Sequence, residues 1–260
     1  MPGPVITLVG CGKMGSALLR GWLAAKISET IYVIEPYGLP DEFSGSGVIH
    51  TDSLQDSDVI VLSVKPQIMP DVCAALTPAK NTLILSIAAG QKIENFRNYF
   101  GVDQPIIRAM PNTPASIGKG MTVAVSSGAT TSAHRKLTDD LLSVTGLLEW
   151  VDDETVMDAV TALSGSGPAY VFALIEMMAH AGEKAGLPGD FSMTLARQTV
   201  IGAAALADAE QNTTISDLRK NVTSPGGTTE AALITLMDGK MQKIVTRAIL
   251  AAAIRSRDLS

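Results

Sequence analysis

Residues 8–21, LVGCGKMGSALLRG, place three glycines directly after an apolar run and at the start of a helical pattern. Gly10, Gly12 and Gly15 carry no side chain, so the chain can turn tightly, bring backbone N–H groups close to a pyrophosphate and pack the helix on a sheet. A second short strand, IYVI, follows in the order that a dinucleotide-binding βαβ unit requires. The stretch therefore predicts a Rossmann-type nucleotide site; the alternative is a glycine turn without a ligand.

Short β-branched runs recur between helical or turn-rich segments up to about residue 152. They are VITLV, IYVI, DVIVLSV, TLILSIA, PIIRAM, GMTVAVSS and LLEWV. Alternation of such runs with helices is typical of βαβ units and of a mostly parallel sheet that is covered on both faces. We expect residues 1–152 to form a doubly wound α/β domain of the Rossmann type.

Residues 153–260 contain no comparable strand signal. Long segments rich in Ala, Leu and Met, without internal proline, predict an all-α domain. Some of them, such as VFALIEMMAHA, are apolar around much of their circumference, and such helices need cover on several sides. We expect a second copy of the chain to provide part of that cover, in a homodimer; the alternative is a compact monomeric bundle.

The composition argues against several classes of function. The 260 residues carry 20 Lys plus Arg against 26 Asp plus Glu, a net charge of -6, and no basic cluster could neutralise a run of phosphates. We therefore expect no nucleic-acid partner. The longest apolar-leaning run is interrupted by SGSGP, so no membrane span is predicted. The N-terminal MPGP leads straight into a strand pattern without the features of a signal peptide, which favours the cytoplasm.

Side chains for metal, thiol or triad chemistry are sparse. The three histidines are isolated, and Cys11 and Cys73 have neither metal-like nor disulfide-framework spacing. His180 lies in an apolar helix, where a core or capping role is usual. These observations favour a reaction in which a bound cofactor does the chemistry, with no metal, and the protein supplies position and field.

Glu35 closes the second predicted strand, where a carboxylate would accept hydrogen bonds from the adenosine ribose hydroxyls. No Lys or Arg occurs between Lys26 and Lys65, so a ribose 2'-phosphate would meet this carboxylate without a cation close in sequence. We therefore expect NADH to be preferred, with NADPH as the second choice. The alternative is that Glu35 is simply a solvated strand end.

Two further loops should face the same crevice, because ligands of open α/β sheets lie outside the carboxyl ends of the strands. They are SVKPQ, residues 63–67, and IAAGQ, residues 87–91. Lys65 is placed to reach the pyrophosphate or ribose, and Pro66 stiffens that wall. A solvated lysine without a ligand is the alternative for Lys65.

The stretch NVTSPGGTTEAAL, residues 221–233, interrupts the helical half with a turn rich in glycine and hydroxyl groups. We expect this turn to form a nest suited to a carboxylate. The nest would consist of the glycine amides, the hydroxyls and N–H groups of Thr228 and Thr229, and a positive helix end. A helix cap with Thr228 as N-cap is the alternative, but it leaves Ser224 and Thr229 unexplained. The earlier ALSGSGPAYVF delivers another helix N-terminus, with Pro168 expected as the first helical residue.

The motifs GCGKMG, SVKPQ, SIAAG, RAMPNTPA, LSGSGPAYVF and NVTSPGGTTEAAL, taken together, resemble those of pyrroline-5-carboxylate reductases. The resemblance implies an N-terminal Rossmann domain, a helical domain that intertwines with a partner subunit, and larger homo-oligomers built from such dimers. It implies hydride transfer from NAD(P)H to the C=N carbon of 1-pyrroline-5-carboxylate, giving L-proline. This chain departs from NADPH-preferring members in having EPYGLPDE after the second strand.

The resemblance also implies roles for individual residues. The substrate carboxylate would be held by the loop from Ser224 to Thr229, with Thr229 as the catalytic residue at the ring nitrogen. Glu210 would match a glutamate near that nitrogen, although this chain has two more residues between it and the loop than the family's pattern has. The residues expected to bind substrate are Ser224, Gly226, Gly227, Thr228, Thr229 and Glu210. The residues expected to bind the cofactor are Gly10, Gly12, Lys13, Met14, Gly15, Glu35, Ser63, Lys65, Pro66, Ala88, Ala89 and Asn221.

Three other functions are compatible with the same nucleotide domain. One is a reductase of another cyclic imine. A reductase of a 2-hydroxy acid, with Lys65 as its catalytic group, is also compatible, but it would leave the SPGGTT turn unexplained. A non-catalytic dinucleotide sensor would bind NADH without turnover and would not need an anion nest.

Overall fold

The computed structural model describes residues 3–259. Contacts divide the chain into a first unit that ends at Ser166 and resumes at Ala252, and a second unit of Gly167–Ala251. This division lies after the predicted boundary between residues 152 and 153. The physical reason is that Met157 is buried in a core cluster of the first unit and Val160 packs against that cluster.

Among the described residues, eight strands form one sheet in the first unit. They are β1 (Ile6–Val9), β2 (Ile31–Ile34), β3 (Ile49–His50), β4 (Val59–Leu62), β5 (Leu83–Ser86), β6 (Ile106–Met110), β7 (Gly120–Ser126) and β8 (Gly146–Trp150). Their spatial order is β3-β2-β1-β4-β5-β6-β7-β8, and only β6 and β7 pair antiparallel. The order reverses between β1 and β4, where a doubly wound sheet offers its ligand crevice. The predicted Rossmann-type sheet is confirmed; the two-residue β3 was not among the predicted runs.

Successive residues of the central strands point to opposite faces, and both faces are buried. Leu8, Val61 and Leu85 belong to one core cluster, whereas Ile60 and Ile84 belong to the other. This explains the continuous apolar runs, because a parallel sheet covered on both sides has no polar face.

Helices of the first unit cover these two faces. They are α1 (Lys13–Ala25), α2 (Met69–Ala75), α3 (Ile93–Phe100), α4 (Ser132–Leu142) and the short α5 (Met157–Val160), which continues into a π-helical turn, Thr161–Gly165. The fully buried Trp22 of α1 donates its Nε1–H to the carbonyl oxygen of Leu141 at 2.8 Å. This bond joins α1 to α4 on the face of the first core cluster.

The second unit is helical, as predicted. Its helices are α6 (Gly167–Lys184), α7 (Gly189–Ala209), α8 (Ile215–Asn221), α9 (Thr228–Leu236) and α10 (Lys240–Asp258), whose last residues belong to the first unit. Pro168 is the second residue of α6, one position later than expected. Within residues 3–259, no helix combines the length and the apolar character needed to cross a membrane.

Large apolar side chains remain exposed on the second unit of a single copy. Phe172, Met177 and Ile234 are 60%, 61% and 70% exposed. Isolated apolar residues at a surface are ordinary, but so many on a set of packed helices mark a surface that another chain covers.

Candidate nucleotide and substrate sites

The three glycines of the β1–α1 turn differ in what a side chain at each position would meet. Gly10 has a φ of +89°, which L side chains rarely adopt, and a Cβ there would also lie 2.7 Å from Val64 Cγ1. A Cβ on Gly15 would overlap the carbonyl oxygen of Gly10. Gly12 is the N-cap of α1 with an ordinary φ of -71°, and a Cβ there would meet no atom within 4 Å. The open space beside Gly12 is therefore available for the close approach of a ligand to the helix N-terminus.

The structure brings Glu35 to this turn. The backbone N–H of Cys11 donates to Glu35 Oε2 at 2.8 Å, and that of Tyr37 to Glu35 Oε1 at 3.4 Å. The carboxylate is therefore held at the carboxyl ends of β1 and β2, and is not merely a solvated strand end. His50, which the sequence did not indicate, lies 2.9 Å through Nε2 from the carbonyl oxygen of Glu35. Only the parallel pairing of β2 with β3 brings this histidine there.

Ser63 lies against the same turn. Its Oγ is buried and has no hydrogen-bond partner within the described part of the chain, and it is 3.0 Å from where a Cβ on Gly15 would stand. A buried hydroxyl without a partner is uncommon in proteins, and a polar ligand in the crevice would satisfy it. Together with the open space at Gly12, this residue fits a bound dinucleotide.

The remaining predicted nucleotide residues of the first unit differ in exposure. Lys13 is the exposed first residue of α1, whereas Met14 is half-buried and packs against a core cluster. Lys65 is exposed at the start of the 3₁₀ turn Pro66–Ile68. Lys13 and Lys65 can thus offer charge to a ligand, and Met14 only its backbone.

The SVKPQ and IAAGQ loops share a cavity. Ala88 is buried in a core cluster, and its N–H donates to Ser86 Oγ at 3.3 Å. Ala89 is exposed and lines a cavity of about 350 Å³ together with Pro66. The predicted residues Pro66 and Ala89 are therefore brought together, while Ala88 can reach a ligand only through its backbone.

The hydroxyl-rich turn of the second unit differs in detail from the expected nest. Gly226 already donates its N–H to Glu230 Oε2 at 2.7 Å, and Gly227 donates its own to the carbonyl oxygen of Ser224 at 3.0 Å. Both glycine amides were expected to be open. Both amides already have an acceptor inside the turn. The carbonyl oxygen of Ser224 accepts one of them, and the carboxylate of Glu230, in the first turn of the helix, accepts the other.

The start of α9 supplies the open amides instead. Gly227, not Thr228, is the N-cap, and it makes no side-chain cap bond. Within the described residues, the N–H groups of Thr228 and Thr229 have no acceptor in the first turn, because the first intrahelical bond is donated by Ala231. The alternative of a cap by Thr228 is therefore wrong, and two amides without an acceptor in the described structure lie at the positive end of α9.

Glu210 and Asn221 lie at helix ends of the second unit. Glu210 follows α7 and accepts a hydrogen bond from Thr213 Oγ1 at 3.1 Å. It makes no hydrogen bond or ion pair to residues 224–229 in the described structure. Asn221 is the exposed last residue of α8. Within the described residues, Asn221 likewise makes no hydrogen bond or ion pair to residues 224–229.

Both thiols are buried. Burial raises the pKa of the Cys73 thiol to about 11, and the pKa of Cys11 is also raised, chiefly by burial. Neither group is a thiolate near neutral pH, so neither is prepared to act as a nucleophile.

Comparisons with known proteins bear on both units. A family model for pyrroline-5-carboxylate reductase dimerisation matches residues 154–259, and a model for a coenzyme F420-dependent NADP oxidoreductase matches residues 5–90. The pyrroline-5-carboxylate reductase of Pseudomonas aeruginosa is 39% identical over 100% of this chain and 98% of its own. That of Glycine max is 39% identical over 97% of this chain and 94% of its own.

Solved structures agree with these relatives. A pyrroline-5-carboxylate reductase from Coxiella burnetii has a TM-score of 0.91 and 34% identity, and covers 99% of this chain and 98% of its own. The Plasmodium falciparum enzyme, with NADP bound, has a TM-score of 0.83 and 30% identity, and covers 100% of this chain and 99% of its own. These matches support a bound pyridine nucleotide, and the dimerisation match with the exposed apolar helices supports a homodimer. The chain belongs to the pyrroline-5-carboxylate reductase family.

Proposed function

We propose that this oxidoreductase reduces 1-pyrroline-5-carboxylate to L-proline with NADH in preference to NADPH. The observation that carries the cofactor preference is the position of Glu35, whose carboxylate is held beside the β1–α1 turn by the N–H of Cys11 at 2.8 Å. A ribose with free hydroxyls can donate to a carboxylate there, whereas a 2'-phosphate would be repelled.

The surrounding charges support the same preference. Burial raises the pKa of the Cys11 thiol, and Arg20 of α1 lies near enough to that thiol to offset the rise slightly. The Nε of Arg20 is paired with Glu42 Oε2 at 3.0 Å. Its charge is therefore already matched by a carboxylate, and it is a poor counter-ion for an added phosphate.

The reduced nicotinamide, when bound, supplies a hydride to the C=N carbon of the substrate. The chain's own residues hold the reactants and exclude water. The turn from Gly10 to Gly15, with Lys13 and Met14, would hold the pyrophosphate; Ser63, Lys65, Pro66, Ala88 and Ala89 would line the crevice. Because a cyclic iminium is already electrophilic, positioning contributes more to the rate than a strong general acid would.

The substrate would be held at the start of α9. The N–H groups of Thr228 and Thr229 would bind its carboxylate at the positive end of the helix, and Ser224 would add a hydroxyl. The Thr229 hydroxyl would hydrogen-bond the ring nitrogen as the catalytic group. Gly226 and Gly227 would shape the turn, and the hydrogen bonds that their amides donate within it would fix its conformation.

The family resemblance assigns two further residues to the site. Asn221 would lie near the nicotinamide end of the cofactor, and Glu210 near the ring nitrogen. We further propose that the homodimer forms through the helical unit and assembles into a larger homo-oligomer in the cytoplasm.

Glu35→Ser tests the cofactor preference. We expect the ratio of kcat/KM for NADH to kcat/KM for NADPH to fall by roughly tenfold, because the variant removes the like charge beside a 2'-phosphate. Initial rates of oxidation of the two cofactors with 1-pyrroline-5-carboxylate measure the ratio. Glu29→Ser is the matched control, since Glu29 is an exposed glutamate that precedes β2 at its opposite end. If the wild-type protein had a higher kcat/KM with NADPH than with NADH, the role of Glu35 would be contradicted, but the proposed reaction would still stand.

Thr229→Val tests the substrate site. The change keeps the volume and removes the hydroxyl, so we expect kcat/KM for 1-pyrroline-5-carboxylate to fall by roughly 10- to 100-fold, with an unchanged Kd for NADH. Thr235→Val, an exposed threonine on the same helix, is the control. An unchanged kcat and KM in Thr229→Val would remove this hydroxyl from the mechanism. NADH binding by the wild type without turnover of any imine would favour a sensor instead.

A further inference from the structure

The end of the chain packs against one of the proposed cofactor loops. Gly90, in the loop of residues 87–91, has a φ of +71°, and a Cβ there would lie 2.9 Å from the carbonyl oxygen of Leu259. Leu259 also lines the cavity that Pro66 and Ala89 share. Leu259 belongs to the C-terminal segment, residues 252–259, and its backbone therefore lies against the backbone of this loop at Gly90.

A part-buried hydrogen bond holds the C-terminal segment in place. Ser256 is 6% exposed, and its Oγ donates to Asp158 Oδ1 in α5 at 2.7 Å. A buried hydroxyl bonded to a carboxylate is one of the stronger hydrogen bonds of a protein. The position of Leu259 beside Gly90 is thus tied to α5.

The other side of the loop is tied to the same stretch of chain. Glu154 lies one helical turn before Asp158, and its Oε1 accepts from the backbone N–H of Ile93 at 2.9 Å and from Arg108 Nη1 at 2.9 Å. Ile93 is the first residue of α3, and one residue, Lys92, separates it from the loop. Residues 154–158 are therefore tied to both sides of the loop. Glu154 bonds Ile93, just after the loop, and Asp158 bonds the C-terminal segment, which lies against Gly90.

We propose that Ser256 and Asp158 are positioning residues for the cofactor, which hold the 87–91 loop in the geometry that binds the reduced dinucleotide. The inference rests on the proposed function, because Ala88 and Ala89 of this loop are the proposed contacts. A loop that is already ordered in its bound form loses less entropy when the ligand binds, so releasing the C-terminal segment weakens binding.

The test uses the full-length protein and NADH itself. For Ser256→Ala and for Asp158→Ala we expect the Kd for NADH, measured by fluorescence titration, to rise roughly three- to tenfold. Hydrogen exchange of the amides of residues 87–91 should become faster, and kcat at saturating NADH should stay near the wild-type value. The double variant should have a Kd close to that of the single variants, because each of them lacks the Ser256–Asp158 hydrogen bond. Ser256→Thr keeps the hydroxyl and should restore the Kd.

Ser143→Ala is the matched control, since its hydroxyl bonds only within one helical turn, to the carbonyl oxygen of Asp139. A wild-type protein that does not bind NADH would overturn the proposed function. Wild-type binding with an unchanged Kd, or unchanged hydrogen exchange at residues 87–91, in Ser256→Ala would overturn this inference alone.

Discussion

Gly12→Val is expected to raise the Kd for NADH by at least about 100-fold while the melting temperature stays near that of the wild type. The reason is that a Cβ at this position meets no protein atom within 4 Å, so the added side chain occupies only the space that the pyrophosphate would use. Its φ of -71° also suits valine. Titration with NADH and a thermal scan measure the two quantities on the same sample.

Gly128→Val is the control for this change. Gly128 is an exposed glycine of the first unit without a positive φ, and a Cβ there also meets no atom within 4 Å. Gly15 would be a poor probe of binding, because a side chain there collides with the carbonyl oxygen of Gly10 and disturbs the turn itself. Normal NADH binding by Gly12→Val would show that the nucleotide does not approach this helix N-terminus.

Glu154→Ala is expected to lower the free energy of unfolding by about 3 kcal/mol. Arg108 is only 2% exposed, and its Nη2 already has no hydrogen-bond partner in the described structure. Removing the carboxylate leaves this guanidinium buried without its counter-ion and leaves the N–H of Ile93 without an acceptor. The cost is mainly that of an uncompensated buried charge, which exceeds the net value of the pair itself.

Chemical denaturation at a fixed protein concentration measures this loss, because the stability of a dimer depends on concentration. Asp140→Ala is the control: its pair with Lys136 has the same 2.9 Å separation but lies on the surface, so we expect a change within about 0.5 kcal/mol. Equal effects of the two substitutions would show that the Arg108–Glu154 pair is no more buried in solution than a surface pair.

Much of the first unit could be predicted because its signals are local. The glycines of residues 10–15 act through their own backbone, and the apolar runs have the pattern of a covered parallel sheet whatever their neighbours are. The apolar faces of the helical half likewise indicated a second copy of the chain. The number of polar positions around a helix can be read from the sequence, and these helices have too few of them to face solvent.

The details of the sites could not be predicted, because they depend on bonds between distant residues or on how a turn closes. The turn at residues 224–229 has the composition of an anion nest, but only its folded form shows that Glu230 takes the N–H of Gly226 and that Thr228 and Thr229 keep theirs open. The place of Glu35 at the end of the second predicted strand indicated its role, yet its bond to Cys11 depends on β2 lying beside β1.

The sequence by itself determined the Rossmann-type sheet, the helical half and the family, because each is written in periodicity or in contiguous motifs. Only the tertiary structure decided that residues 153–166 belong with the sheet, that Glu154 closes on Arg108 and Ile93, and that Ser256 ties the chain end to Asp158. Those contacts join residues far apart in the chain, and their energy comes from burial and charge pairing that exist only after the elements have packed.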